Sequence, residues 1–247
     1  MNNKYRYSYF EKVEPSKYIL MLDESDQTLI SCQLKERENV YKTVHITATP
    51  FKNLSYSRYI KVERDRNYYG INDLNINLND TDDEIKYVDK FIESKTGIML
   101  INKYSYIDEM TNCAEKLSKN FTNIPIVLLI SEKVVYLQKN KKIMRYKSIS
   151  KIIDSFKEYP HIIFIANRLS NRGLSYVSSD YSRHLTWQIT KIRANVTSFL
   201  QTLRILGIYK KKTDLQLVFD KNQENLFEKH LKFINNFDIE EKMIYNY

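Results

Sequence analysis

The stretch Gly97-Ile98-Met99-Leu100-Ile101 opens the part of the chain whose pattern decides the fold. Four consecutive apolar residues after a glycine read as a strand buried on both faces. Ser105 to Asn120 then places Ile107, Met110, Ala114 and Leu117 at helical spacing. The alternation continues with a strand at Ile126–Ile130, a helix from Ile149 to Tyr159 and a strand at His161–Ile165. A fourth strand is expected at Leu185–Ile189, a helix from Asn195 to Leu206, a strand at Leu215–Phe219 and a closing helix from Gln223 to Asn236. Strands alternating with helices of this length predict a parallel sheet covered on both faces, an α/β architecture.

Working outward towards the N-terminus, Tyr18-Ile19-Leu20-Met21-Leu22 is another apolar run, and it ends in Asp23-Glu24-Ser25-Asp26. A buried strand that delivers carboxylates at its C-terminal end reads this way, and so does a solvated acidic turn. Val44-His45-Ile46-Thr47-Ala48-Thr49-Pro50 is a second strand, stopped at the proline. From Phe51 to about Lys95 the pattern weakens. Asn79-Asp80-Thr81-Asp82-Asp83-Glu84 reads as an acidic turn in which Asp or Thr caps a helix running through Ser94. The domain boundary is therefore expected near residue 95, with 1–95 and 96–247 as the two parts.

Composition narrows the function classes. Of 247 residues, 43% are hydrophobic and 28% charged, which excludes disorder throughout. A net charge of +9 suits a polyanionic partner such as nucleic acid, although a lysine-rich composition gives the same excess without one. Cys32 and Cys113 form neither a metal pair nor a disulfide framework, and read as reduced thiols of an intracellular protein. His45, His161, His184 and His230 share no ligand spacing. No apolar run approaches the roughly 18 residues that a membrane span needs, and MNNKYRYSYFEK has no signal-peptide core. The expectation is a soluble intracellular protein with no membrane partner.

Four constellations carry chemistry. Adjacent carboxylates such as Asp23 and Glu24 at a strand end can hold a metal and activate water. Thr47-Ala48-Thr49-Pro50 stands at the next strand end, and in a parallel sheet both ends open on the edge where ligands bind. Ile165-Ala166-Asn167-Arg168-Leu169-Ser170-Asn171-Arg172-Gly173-Leu174-Ser175 takes a strand into a loop with two arginines and a glycine. That glycine permits a positive φ or a close backbone approach to phosphate. Gln201-Thr202-Leu203-Arg204-Ile205-Leu206-Gly207 is expected on a helix.

In this order, the four resemble motifs II, III, V and VI of superfamily 2, DEAD-like, helicases. The resemblance runs from Tyr18 to Phe219. It implies a RecA-like C-terminal helicase domain preceded by a partial first RecA-like domain, and an ATP-dependent, nucleic-acid-stimulated NTPase using Mg2+. Under it Asp23 holds the metal, Glu24 positions the attacking water, and Asp26, Thr47 and Thr49 couple hydrolysis to movement. Arg204 is the arginine finger, with Gln201, Gly173 and Arg172 beside the nucleotide. Arg168, Arg172, Arg183 and Lys191 are the candidate nucleic-acid contacts. Tyr68-Tyr69-Gly70-Ile71 and the long Ser178-to-Gln188 stretch are similar to viral or phage members, which implies a host cytoplasm or a virion.

The sequence departs from the family pattern in one major respect. Its four glycines, Gly70, Gly97, Gly173 and Gly207, include no pair five apart and none before Lys-Ser or Lys-Thr. The Gly-x-x-x-x-Gly-Lys-Ser/Thr phosphate loop is therefore missing. Arginines are also fewer than usual around Arg204. These departures imply a part of a split or truncated helicase that is inactive without a loop-bearing partner chain. The alternatives are a non-catalytic nucleic-acid-binding module or degenerate fragment, and an unrelated nuclease using Asp23, Glu24 and Asp26.

Overall fold

In a computed structural model, the structure describes residues 18–23, 40–46, 65–80, 83–130, 133–137, 142–145, 148–167, 174–209 and 213–244. The chain divides into two compact units, Met1–Ile60 and Lys61–Tyr247. The division falls at residue 60 and not at 95, because the segment between them belongs to the larger unit.

In the first unit, β1 (Tyr18–Asp23) pairs in parallel with β2 (Val40–Ile46). The register sets Leu22 against His45 and Asp23 against Ile46. The second strand starts earlier than its apolar core suggested, and residues 47–50 lie outside the described residues.

The second unit contains a short β3 (Tyr68–Tyr69), β4 (Asn75–Asn79), α1 (Ile85–Ile92), β5 (Gly97–Ile101) and α2 (Ile107–Asn120). These are followed by β6 (Ile126–Ile130), β7 (Lys133–Leu137), β8 (Lys142–Arg145), α3 (Ile149–Ser155) and β9 (His161–Ala166). β10 (Leu185–Ile189), α4 (Val196–Thr202), β11 (Gly207–Ile208), β12 (Gln216–Asp220) and α5 (Glu224–Ile244) complete it. The main sheet runs β4-β12-β10-β5-β9-β6-β7-β8. Its first six strands are mutually parallel, and β7 and β8 add an antiparallel edge.

The strand residues partition between two apolar layers. Ile98, Leu100, Ile162, Phe164, Leu217 and Phe219 face α3, α4 and α5 through Ile152, Ile153, Phe199 and Phe227. Their neighbours Met99, Ile101, Ile163, Ile165 and Val218 face α1 and α2 through Val88, Phe91, Met110, Ala114 and Leu117. Burial on both faces is why these strands read as uninterrupted apolar runs. Gly97 begins β5 where a Cβ would lie 2.7 Å from both the Phe91 ring and Thr186 Oγ1, so only glycine fits there.

Three expected boundaries shift for local reasons. The helix from Ile149 ends at Ser155, because Phe156 leaves helical geometry at φ −115° and the chain turns through residues 156–158 before Pro160 and β9. α4 stops at Thr202, whose hydroxyl donates to Phe199 O at 2.6 Å, and Leu203 turns to extended geometry. The closing helix α5 is longer than expected and reaches Ile244.

His161 sits at the opening of β9, 7% exposed, with Nε2 donating to Ser94 O at 2.9 Å and its ring 4.9 Å from that of Phe91. Burial holds its imidazole below the ordinary value of 6.5, helped by the nearby Arg183 guanidinium and opposed by the bond to Ser94 O. The fold thus favours the neutral ring, and the unfolded chain takes up the proton more readily. Stability from this residue is complete above pH 6.5 and is lost as pH falls through and below that value. Urea melts from pH 8 down to about 5 should show a steeper loss for the wild type than for His161→Asn. Parallel curves would rule this linkage out.

Candidate functional site

The C-terminal ends of the parallel strands define the edge at which ligand-binding loops are displayed in such sheets. In the first unit Asp23 is the last residue of β1, opposite Ile46, the last residue of β2. The segments that follow, starting at Glu24 and at Thr47, therefore leave the same edge of this strand pair. Glu24, Asp26, Thr47 and Thr49 themselves lie outside the described residues, as do Arg168, Arg172 and Gly173. Among the described residues no group of three His, Cys, Asp or Glu side chains could hold a metal ion. Asp23 is the one member of its acidic cluster that is described.

In the second unit β9 ends at Ala166, and Asn167 precedes the arginine-bearing segment of the sequence. β5 lies between β9 and β10. At its tip stands Asn102, 1% exposed, whose N–H donates to Ile189 O at 2.9 Å and whose side chain donates to Thr202 O at 3.2 Å. Gln188 of β10, fully buried, completes the arrangement. Its Nε2 donates to Asn102 Oδ1 at 3.1 Å and to Thr202 O at 2.8 Å. Its Oε1 accepts from the N–H groups of Arg204 at 2.9 Å and Ile205 at 3.1 Å. One amide thus serves a carbonyl at the C-terminal end of α4 and the two N–H groups that follow, so the helix ends where Gln188 takes over its hydrogen bonding.

Arg204 is consequently in a turn and not on the helix expected for it. Its guanidinium folds back to donate to the Gln201 carbonyl, at the end of α4 where a helix favours a cation. Gln201 and Arg204 are both half-buried, held over the tip of β5 by the Asn102–Gln188 pair. The structure brings Gln201 and Arg204 together.

Arg183 lies elsewhere. It precedes β10 and donates to Phe156 O at 3.1 Å and Pro160 O at 3.2 Å, at the N-terminal edge of the sheet. Burial pushes its pKa down. It closes the C-terminal end of α3, on the opposite edge from Lys191, which is exposed immediately after β10. Arg183→Ala should cost about 1–2 kcal/mol of stability through the two hydrogen bonds it removes, since both carbonyls keep a backbone N–H, from Tyr159 and Gly97. Urea melts of the variant beside the wild type check this.

Sequence reasoning missed a second buried constellation at the β5 tip. Lys103 Nζ lies 2.6 Å from Glu84 Oε1, and the Tyr104 hydroxyl donates to the same oxygen at 2.6 Å. The Lys103 and Glu84 side chains are only 11% and 4% exposed. Burial, with the charge on Glu84 adding to it, pushes the Tyr104 hydroxyl far above its ordinary value and the Cys113 thiol up to about 11. The only available signal was the acidic turn that Glu84 ends.

A groove of about 430 Å3 is lined by Ser148 and Ser150 at the start of α3 and by Leu174, Ser175, Val177 and Ser179. Leu174 and Ser175 follow directly on the Arg172-Gly173 loop. No protein-family model matches the chain, and neither a curated protein nor a solved structure matches it. Among the described residues no helix is long and apolar enough to cross a membrane.

Proposed function

We propose that the chain is a helicase-type component, in which Lys61–Tyr247 serves as a RecA-like domain acting on nucleic acid with an NTPase site. The observation that carries this reading is the convergence at the β5 tip. β9, whose last residue Ala166 precedes the arginine-bearing segment, lies beside that strand, and Thr202 of the Gln201–Arg204 turn is bonded to Asn102 at its end. These are the segments that resemble motifs V and VI, and parallel-sheet ligands bind at this edge. The Asp23–Ile46 register adds a like arrangement in the first unit.

On this reading Asp23 would hold Mg2+, Glu24 would orient the attacking water, and Arg204 would offset charge on the phosphoryl group. Mg-ATP supplies the phosphoryl group and its metal clamp when bound. The phosphate loop comes from another polypeptide segment, since none is in the sequence. Single-stranded nucleic acid lies against the Arg168–Arg172 loop and the serine groove, where hydroxyls suit sugar and phosphate.

The folded-back guanidinium of Arg204 favours a second reading, a nucleic-acid-binding module without catalysis. ATP hydrolysis by the purified chain separates the two, measured with and without single-stranded DNA or RNA and with a loop-bearing partner added. Turnover stimulated by the strand and lost in Glu24→Gln is the expected result for the NTPase. Strand binding without turnover, with both chains folded, leaves the binding module. Neither binding nor turnover overturns both.

A further inference from the structure

At the C-terminal sheet edge the cations around α1 and β5 are neutralised: Lys86 pairs with Asp80, Lys103 with Glu84 and Lys116 with Asp83. The loops after β10 and β12 differ. Lys191 and Lys221 are exposed and Arg193 half-exposed, and none of the three has an ion pair among the described residues. The acids closest to Lys221 in sequence, Asp220 and Glu224, are half-buried.

The backbone that displays these cations is held from several directions. Thr190 N–H donates to Val218 O at 2.9 Å, tying the loop to β12. Gln223 takes both backbone groups of Ile192: its Oε1 accepts from the N–H at 3.1 Å and its Nε2 donates to the carbonyl at 3.2 Å. His230 of α5 bonds Arg193 O at 2.7 Å, with its ring stacked on Phe199 at 5.3 Å. Side chains from β12's own loop and from α5 thus fix residues 190–193, while Lys191, Arg193 and Lys221 have no ion pair among the described residues. A cation held in place loses less freedom on meeting a phosphate than one on a loose loop.

We propose that Lys191, Arg193 and Lys221 form a preorganised contact surface for the phosphodiester backbone of a nucleic-acid strand, with Gln223 and His230 as its scaffold. The inference rests on the nucleic-acid reading above and extends that binding to the loops after β10 and β12. Phosphate contacts of this kind position a strand without reading its sequence.

The test is the salt dependence of binding to a labelled oligothymidylate by fluorescence anisotropy. Each single-strand phosphate contact contributes about 0.7 to the slope of log affinity against log salt. Lys191→Ala/Arg193→Ala/Lys221→Ala should therefore lower that slope by about 2. The control Lys95→Ala/Lys119→Ala/Lys157→Ala removes the same charge from exposed positions at the N-terminal edge of the sheet and should leave the slope nearly unchanged. Gln223→Ala should weaken binding a few-fold at fixed salt with the wild-type slope, because it loosens the loop and keeps the charges. Wild-type binding with equal losses in the two triple variants, or with no loss in the first, overturns the surface but not the nucleic-acid reading. Displacement of the strand by an equal phosphate concentration of ATP would reassign the cations to nucleotide and also overturn it. Absence of any wild-type binding overturns both.

Discussion

Gln188→Ala should lower the stability of the larger unit by about 3 kcal/mol, from the hydrogen bonds of a single uncharged side chain. The residue is fully buried, and its amide makes four bonds, to Asn102 Oδ1, Thr202 O, Arg204 N–H and Ile205 N–H. Truncation removes the acceptor of two consecutive buried or half-buried N–H groups, each costing about 1–3 kcal/mol when water cannot replace it. It also leaves a cavity under the turn that carries Arg204. Gln188→Met separates the two effects, since it refills the volume and restores no hydrogen bond. Urea melts should show both variants destabilised, with methionine recovering only the packing share. A methionine variant as stable as the wild type would mean that the turn holds itself and that Gln188 is a space-filler.

That residue also shows where sequence reading ran out. Leu185-Thr186-Trp187-Gln188-Ile189 was legible as a strand from its place in the alternation, but nothing local says that the amide of Gln188 turns inward to end a helix. The central strands were legible because burial on both faces leaves an apolar run in the sequence. β4 was not. As the edge strand it reads Asn75-Ile76-Asn77-Leu78-Asn79, and Asn77 answers Gln216 across to β12 at 2.8 Å. Polar cross-strand pairs of this kind have no apolar signature, and the domain boundary was drawn too late as a result. The antiparallel β7 and β8 were lost in a stretch rich in lysine and asparagine.

The candidate site divides along the same line. Asp23 at a strand end and the neighbouring end of β2 follow from apolar runs and their terminators, and these were legible. Arg183 was grouped with the nucleic-acid contacts as a basic side chain among the strand-end loops that the resemblance implies. Which sheet edge it occupies depends on the path from Leu174 back to the start of β10, which no local pattern encodes. Arg204 was assigned to a helix from spacing alone, and the amide that ends that helix comes from 16 residues upstream.

Lys103→Met should cost a comparable amount, about 3 kcal/mol, by leaving the Glu84 carboxylate buried without its counter-charge. The pair lies at 2.6 Å with both side chains nearly covered, and the Lys103 ammonium also sits 5.3 Å from the centre of the Tyr104 ring. Taking two charges out of water is expensive, so the pair as a whole contributes little even though either half alone is costly to lose. The double variant Glu84→Gln/Lys103→Met should therefore recover most of the loss, since the glutamine keeps an acceptor for the Tyr104 hydroxyl. Cys113 gives a second readout in a Cys32→Ser background. Its thiol is 5% exposed and pushed up to about 11, so thiol reagents reach it chiefly when this region opens. Lys103→Met should speed that labelling, and the double variant should slow it again. Strictly additive stabilities, with labelling as fast in the double variant as in the single, would show that Glu84 and Lys103 act independently and that the β5 tip is not held by their pairing.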